Sequence, residues 1–198
     1  MSSDFNLVKF ENADYDKKIL IIGVFHGDEP QGEYFINSYL KNKNIGKNSL
    51  YFIPRLNYNN KRQNRNGVDL NRNFPTKNWV LGEKNDYYGG EKPNSEIETQ
   101  FLVDLINENK FDAIITIHSP YKTVNYDGPA EDLAQNISKI IGYPTSSDIG
   151  YPTPGSFGTY CGVERKIPTI TIEIDEEEDI EELNVKFEKL FDWLKNQY

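Results

Sequence analysis

Residues 17–40 read KKILIIGVFHGDEPQGEYFINSYL. Residues 17–25 of this stretch are an apolar, β-branched run, which predicts a strand buried on both faces. The polar HGDEPQG follows, with Pro30 suited to the first turn of a helix. Tyr34, Phe35, Ser38 and Tyr39 then recur at helical spacing. A buried strand, a polar loop and a helix form one α/β unit, and similar units follow along the chain. SLYFI (49–53) is a second strand, stopped by Pro54. In SEIETQFLVDLINEN (95–109), Ser95 and Glu98 have the spacing of a capping box. Ile97, Phe101, Leu102, Leu105 and Ile106 supply the apolar face of that helix. FDAIITI (111–117) is a buried strand ending at His118. AEDLAQNISKII (130–141) is an amphipathic helix closed by Gly142. PTITIEI (168–174) is a strand and 179–195 a last helix. The alternation predicts a single α/β domain over residues 1–198. Its central sheet should be mostly parallel or mixed, with helices on both faces.

Two stretches break the rhythm. Residues 55–93 are rich in Asn, Arg and Gly and follow no period. A connection that long inside a compact domain is either functional or disordered. Its aromatics, Phe74, Trp79, Tyr87 and Tyr88, argue against disorder. The second stretch, 143–158, carries Tyr, Pro and Gly.

Composition narrows the partners. Lys plus Arg number 22 against 31 Asp plus Glu, a formal charge of −9 in 198 residues. Such a chain should bind neither nucleic acid nor an anionic membrane by bulk electrostatics. No apolar run approaches the ~18–20 residues that span a bilayer. The opening MSSDFNLVKFENADYDKK has no basic segment followed by an apolar one, so a secretory leader is not expected. The single cysteine, Cys161, excludes an internal disulfide framework and a cysteine-based zinc knuckle. These features together suggest a cytoplasmic protein.

In open α/β sheets, ligands sit beyond the carboxyl ends of the strands. His26-Gly27-Asp28-Glu29 follows the first predicted strand, His118 ends the third, and Glu173 lies near the end of the last. His26 and His118 are the only histidines in the chain, and both occupy the same topological position. Two histidines and one carboxylate with a fourth position open describe a catalytic zinc site. Zinc there polarises a carbonyl and lowers the pKa of a bound water towards ~7. Such a site also needs a proton acceptor that is not a ligand, and Glu173 is placed for that role. The loop adds Arg62, Arg65, Asn71 and Arg72. Guanidinium groups capture carboxylates in bidentate fashion and stabilise oxyanions. By composition alone, the same loop reads better as a solvated basic stretch on an acidic protein.

HGDE, GVDLNRNFP, IHSP and TIEI, in that order, resemble the zinc metallocarboxypeptidase family. The resemblance runs from about residue 18 to 175. Within the family, RQNRNGVDLNRNFPTKNW (62–79), PNSEIETQ (93–100) and GYPTPGSFGTYCGVERKIPTITIEI (150–174) are most similar to the branch that hydrolyses murein peptides. The resemblance implies one Zn2+ held by His26, Glu29 and His118, with Glu173 as the general base. It implies that Arg62 stabilises the oxyanion and that Asn71 and Arg72 hold the terminal α-carboxylate of a small peptide substrate. Asp69 matches the carboxylate that orients the first zinc histidine. Tyr151 matches a mobile tyrosine that covers the substrate. Gly155, Ser156 and Phe157 match the lining of the pocket for the terminal side chain. The implied reaction is hydrolysis of the γ-D-glutamyl–meso-diaminopimelate amide of L-Ala-γ-D-Glu-meso-diaminopimelate by zinc-activated water.

The chain departs from the larger carboxypeptidases in being shorter, which implies fewer rim loops and a more open groove. It also reads His118-Ser119-Pro120-Tyr121 after the third ligand. An N-acyl amino acid deacylase, similar to aspartoacylase or succinylglutamate desuccinylase, is the alternative enzyme reading, and a general metallocarboxypeptidase is a further one. A silent peptide-binding module is disfavoured, because both histidines and both carboxylates are present. The acidic run Asp175 to Glu182 should complement the dipole of the last helix. Cys161 has no third histidine to activate it and should pack inside.

Overall fold

The computed structural model describes residues 5–41 and 45–198. The first four residues of the stretch read as lacking a leader lie outside that range. Seven strands form one mixed sheet: β1 (Val8–Phe10), β2 (Lys18–Ile22), β3 (Ser49–Ile53), β4 (Ala113–His118), β5 (Thr123–Asp127), β6 (Thr145–Ser146) and β7 (Thr169–Glu173). Their order across the sheet is β1-β3-β2-β4-β7-β5-β6. The central β3-β2-β4-β7 strands are parallel. β1 runs antiparallel to β3, and β5 antiparallel to β7.

Alternation along each strand sends side chains to opposite faces. Ile19, Ile21, Leu50, Phe52, Ile115, Ile117, Ile170 and Ile172 point to one core. That core is covered by α1 (Gln31–Leu40), α3 (Glu131–Ile141) and α4 (Ile180–Asn196). Leu20, Ile22, Tyr51, Ile53 and Ile114 point to the other, beneath α2 (Ile97–Glu108) and the Phe74 and Phe157 loops. Helices therefore lie on both faces, and the central strands read as continuous apolar runs because neither face is wet.

The expected first strand stops at Ile22 rather than running to Phe25. The chain turns at Gly23, whose N–H donates to Ile53 O across 2.9 Å. A Cβ there would stand 2.5 Å from Pro54 O and 2.8 Å from Gly32 C, so only glycine admits the close approach of α1. The apolar face of α1 consists of Phe35, Ile36 and Tyr39. Tyr34, expected on that face, is exposed and donates its hydroxyl to Glu181.

The capping box at Ser95 and Glu98 does not form. Glu96 is the N-cap and its side chain makes no capping bond to the helix. Ser95 Oγ donates instead to Glu96 Oε1, and Glu98 accepts from Asn64. Ile97 is exposed, while Thr99 and Val103 join Leu102, Leu105 and Ile106 inside. At α4 the acidic run acts locally: Asp179 accepts from the backbone N–H groups of Glu181 and Glu182.

The long Asn-rich loop is ordered by its asparagines. Asn57 Nδ2 donates to Lys61 O and Arg62 O. Asn64 Oδ1 accepts from Asn66 N and Val68 N. Asn73 Nδ2 donates to Gly89 O at 2.7 Å, and its Oδ1 accepts from Glu96 N. All three are buried. Buried backbone groups need partners, and these amides supply them where no sheet or helix does.

Candidate active site

The carboxyl ends of β2, β4 and β7 open into one cavity, lined by His26, Glu29, Arg62, Asn71, Arg72, His118, Tyr151, Ser156 and Glu173 among others. Register explains part of the convergence. His118 at the end of β4 pairs with Glu173 at the end of β7, so the two side chains leave neighbouring strands at the same level. His26 and Glu29 sit in the turn after β2, tightened by the bond from Glu29 N to His26 O.

A ligand atom from each of His26, Glu29 and His118 lies within 4.8 Å of the other two. Both Nδ1 atoms face Glu29, His26 at 2.9 Å from Oε1 and His118 at 2.9 Å from Oε2. The imidazole centroids are 4.8 Å apart. Two imidazole nitrogens and a carboxylate aimed at one point are a donor set suited to zinc. The outer atoms are fixed as such a site requires. His26 Nε2 contacts Asp69 Oδ1 at 3.0 Å, and Arg62 Nε donates to Asp69 Oδ2 at 3.0 Å. Asp69 is fully buried and caps the single 3₁₀ turn Leu70–Arg72 by accepting from Asn71 N at 2.9 Å. One carboxylate thus ties His26, Arg62 and the Asn71–Arg72 turn together.

The charges in this cluster are strongly coupled. Burial opposes the charged form of His26, yet Asp69 and Glu29 raise its pKa to about 9. Burial would also raise Glu29, but His118 and His26 hold its carboxyl well below the usual range. Asp69 is held at about 2, against burial, by His26 and Arg62. His118 is pushed down by burial. Glu173 moves the other way: burial first, then the charge of Glu29, push its carboxyl up to about 8. Its Oε2 is buried and, among the described residues, has no hydrogen-bond partner. Buried polar atoms are normally paired, so an orphaned carboxylate oxygen at a cavity wall marks a place for a ligand or water.

Arg62 Nη1 lies 3.9 Å from Glu29 Oε1, and the guanidinium stands 4.8 Å from the centroid of the Tyr87 ring. Asn71 Oδ1 accepts from Phe157 N at 2.9 Å, which orients the amide. Arg72 is buried at the cavity wall and donates to Asn71 O at 2.7 Å. Tyr151 sits on the rim, its ring 6.4 Å from Tyr121. Ser156 lines the cavity, but Gly155 and Phe157 do not. Gly155 has φ +72°, and a Cβ there would meet Arg72 O at 2.3 Å, so it supports the Arg72 backbone from behind. Phe157 is buried below the floor, stacked obliquely on Phe25 and Phe74. Arg65 is exposed and lies outside the cavity. Cys161 packs inside, with its thiol pushed up by burial.

Asn125 and Asp127 of β5, together with Thr171 of β7, also line the cavity and were missed from the sequence. The signal was present in TVNYD (123–127), where Thr123, Asn125 and Asp127 alternate with Val124 and Tyr126.

A family model described as zinc carboxypeptidase matches residues 4–139. Murein peptide amidase A from Vibrio campbellii is 38% identical over 140 residues, covering 63% of this chain and 54% of that protein. Murein peptide amidase A from Escherichia coli K12 is 36% identical over 112 residues, covering 50% of this chain and 46% of that protein. The chain therefore spans about half the length of the curated relatives it matches. The crystal structure of murein-tripeptide amidase from Escherichia coli O157 superimposes with a TM-score of 0.81 at 27% identity, covering 95% of this chain and 84% of that one.

Proposed function

The chain belongs to the zinc carboxypeptidase family, and from that premise we propose that it is a zinc-dependent murein peptide amidase. In this reading the whole chain acts as one catalytic domain. It cleaves the γ-D-glutamyl–meso-diaminopimelate amide of L-Ala-γ-D-Glu-meso-diaminopimelate. The observation that carries the reading is the convergence of His26, Glu29 and His118 beside the unpartnered carboxylate oxygen of Glu173. The similarity to two murein peptide amidases supports the choice of substrate.

When bound by these three residues, zinc supplies Lewis-acid polarisation of the scissile carbonyl and a water acidic enough to attack near neutral pH. The protein supplies the rest. Asn71 and Arg72 hold the terminal α-carboxylate, so only the last amide reaches the reacting position. Glu173 takes the proton of the attacking water and later delivers it to the departing amine. Its burial beside the charge of Glu29 suits a base that must hold that proton between the two steps. Arg62, locked by Asp69, donates to the oxyanion that develops on the substrate. Asp69 keeps the proton of His26 on Nε2, so that Nδ1 is free to act as a ligand. Tyr151, on the rim, covers the bound peptide. The reading includes a cytoplasmic setting, with which the free, buried Cys161 is consistent.

The test is incubation of the zinc-loaded protein with the tripeptide, followed by mass analysis. Release of free diaminopimelate is expected. Turnover of N-acetyl or N-succinyl amino acids with none of the tripeptide would reverse the assignment. Glu173→Gln should lower kcat by roughly 10²–10⁴-fold with zinc retained.

A further inference from the structure

β4 ends at His118 and β5 begins at Thr123, with β7 lying between them in the sheet. The connection Ser119–Lys122 therefore passes over the carboxyl end of β7, at the level of Glu173. It belongs to no strand or helix. Ser119 is buried and lines the active-site cavity. Its N–H donates to Glu29 Oε2 at 3.3 Å, the oxygen that also faces His118 Nδ1 at 2.9 Å. Two residues on, Tyr121 stands against Tyr151 on the rim. A shift of this connection is thus felt at an oxygen of the metal ligand Glu29.

The acidic run after β7 anchors the connection at both ends. Asp175 Oδ2 accepts from Lys122 Nζ at 2.8 Å, and Glu176 Oε1 accepts from Ser119 Oγ at 2.6 Å. The two anchors differ in weight. Lys122 is exposed, so its ion pair is screened by water and contributes little. The Ser119 hydroxyl belongs to a buried residue, and its bond to a carboxylate is charge-assisted and short, as strong hydrogen bonds are. The run is itself held in place. Asp175 N donates to Tyr143 OH at 3.2 Å, Tyr143 OH donates to Glu178 Oε2 at 2.8 Å, and Lys186 pairs with Glu178. Ile174 N donates to His118 O at 2.8 Å, which ties the start of the run to the third ligand. Glu177 is exposed, and its N–H donates to Asp175 Oδ1. Among the described residues, its carboxylate makes no bond to Ser119 or Lys122.

We propose that Glu176 is a positioning residue for the metal ligand Glu29, acting through Ser119. Its carboxylate fixes the Ser119 hydroxyl, and the residue so fixed directs its N–H at Glu29 Oε2. Glu29 then presents its carboxylate to the metal position in one orientation, as ligands held by outer hydrogen bonds do. The inference rests on the zinc reading of the site and not on the murein substrate. It gives the acidic run a part in the site that the capping of α4 by Asp179 does not.

Two measurements test it, and neither needs a substrate. The first is zinc affinity by competition against a chromophoric chelator. Glu176→Ala should weaken zinc binding by about 10-fold, the lower end of what outer partners of metal ligands contribute. Glu176→Gln removes the same charge but keeps an acceptor oxygen at the same reach, so it should stay within about threefold of wild type. Glu177→Ala, a loss of charge from the same run, should leave the affinity unchanged. Ser119→Ala should match Glu176→Ala, and the double variant should bind no more weakly than either, because both break one chain of contacts. The second measurement is amide hydrogen exchange at Ser119 in the metal-free protein, which should be faster in Glu176→Ala and unaltered in Glu177→Ala. If the wild type takes up no zinc but the exchange difference appears, the zinc reading fails while the hold of Glu176 on Ser119 stands. Zinc binding by Glu176→Ala within about twofold of wild type, equal losses in Glu176→Ala and Glu177→Ala, additive losses in the double variant, or unchanged exchange at Ser119 would each overturn the role given to Glu176.

Discussion

Replacing Asp69 by Asn keeps shape and volume but removes one charge from a fully buried position. Its two oxygens face three donors: Oδ1 faces His26 Nε2 at 3.0 Å and Asn71 N at 2.9 Å, and Oδ2 faces Arg62 Nε at 3.0 Å. An amide has only one acceptor oxygen, and neither orientation suits all three. With its oxygen towards His26, its NH₂ meets the N–H of Arg62. With the amide flipped, NH₂ meets Asn71 N–H and forces His26 to accept at Nε2. The imidazole proton then moves to Nδ1, where it blocks metal binding. Breaking one side of a buried charge pair costs about 3–5 kcal/mol, and the retained amide dipole brings the expected loss to about 3 kcal/mol. Outer partners of metal histidines are worth roughly 10–100-fold in affinity. Urea denaturation of the metal-free protein should therefore show a loss of ~3 kcal/mol. Competition against a chromophoric chelator should show zinc held at least ~10-fold more weakly. A variant that binds zinc within about threefold of wild type and unfolds at the same urea midpoint would refute the role given to Asp69.

Zinc uptake should be linked to one histidine proton. His26 has a pKa of about 9 while His118 is pushed down by burial, so near pH 7 only His26 must deprotonate. Zinc affinity should rise about tenfold per pH unit up to ~9, and calorimetry in buffers of different ionisation enthalpy should count about one proton released. The metal-free protein should behave oppositely. A raised histidine pKa stabilises fully below the unfolded value of 6.5, so that contribution fades as pH climbs through about 9. Asp69, lowered to about 2, contributes fully above its unfolded value of 3.8 and loses its share as pH falls towards 2, which acid titration of the fold should show. Gly155→Ala adds a Cβ 2.3 Å from Arg72 O at φ +72°. It should cost about 1–2 kcal/mol in stability from the left-handed backbone alone and raise KM as the Arg72 backbone shifts. Arg72→Ala should raise KM far more than it lowers kcat, and amidation of the substrate's terminal carboxylate should reproduce that loss with the wild type. Equal turnover of free-acid and amidated peptides would remove Arg72 from carboxylate recognition.

The buried central strands were legible because burial on both faces leaves an unbroken apolar run. Ile19–Ile22, Leu50–Ile53, Ala113–Ile117 and Ile170–Ile172 are of this kind. The outer strands were not, for the complementary reason. Val8–Phe10 and Thr145–Ser146 are too short to show any period, while Thr123–Asp127 has no unbroken apolar run and shows itself only by the two-residue alternation of a polar cavity face with an apolar core face. The face of α1 was misread because Tyr34 satisfies the helical spacing, yet its hydroxyl is used at the surface by Glu181. The missing capping box has a similar cause. Glu98 is engaged by Asn64 from a loop, a contact that no local spacing reveals.

The same contrast divides the site. Residues at strand ends could be placed from topology alone, since parallel strands present their carboxyl ends to a common edge. Two histidines in one chain, both at that edge, were enough to suggest convergence. The Asn-rich loop was harder to read, because its asparagines perform two tasks that look identical in sequence. Asn57, Asn64 and Asn73 spend their amides within the loop and on its neighbours, on backbone groups and, for Asn64 and Asn73, also on the side chains of Glu96, Glu98 and Ser95. Asn71 differs only in where its turn points: Phe157 N occupies its oxygen, and the residue faces the cavity. What distinguishes it is the buried Asp69 two residues earlier, which caps the turn and fixes His26 and Arg62 with the same carboxylate. The order of the loop and the geometry of the metal ligands therefore depend on one another. A substitution that loosens the turn should move Arg62 and His26 together rather than separately. A double-mutant cycle pairing Arg62→Ala with His26→Ala, read as metal-free stability, should show coupling of about 1 kcal/mol or more through Asp69. Strict additivity would mean that the two side chains are held independently.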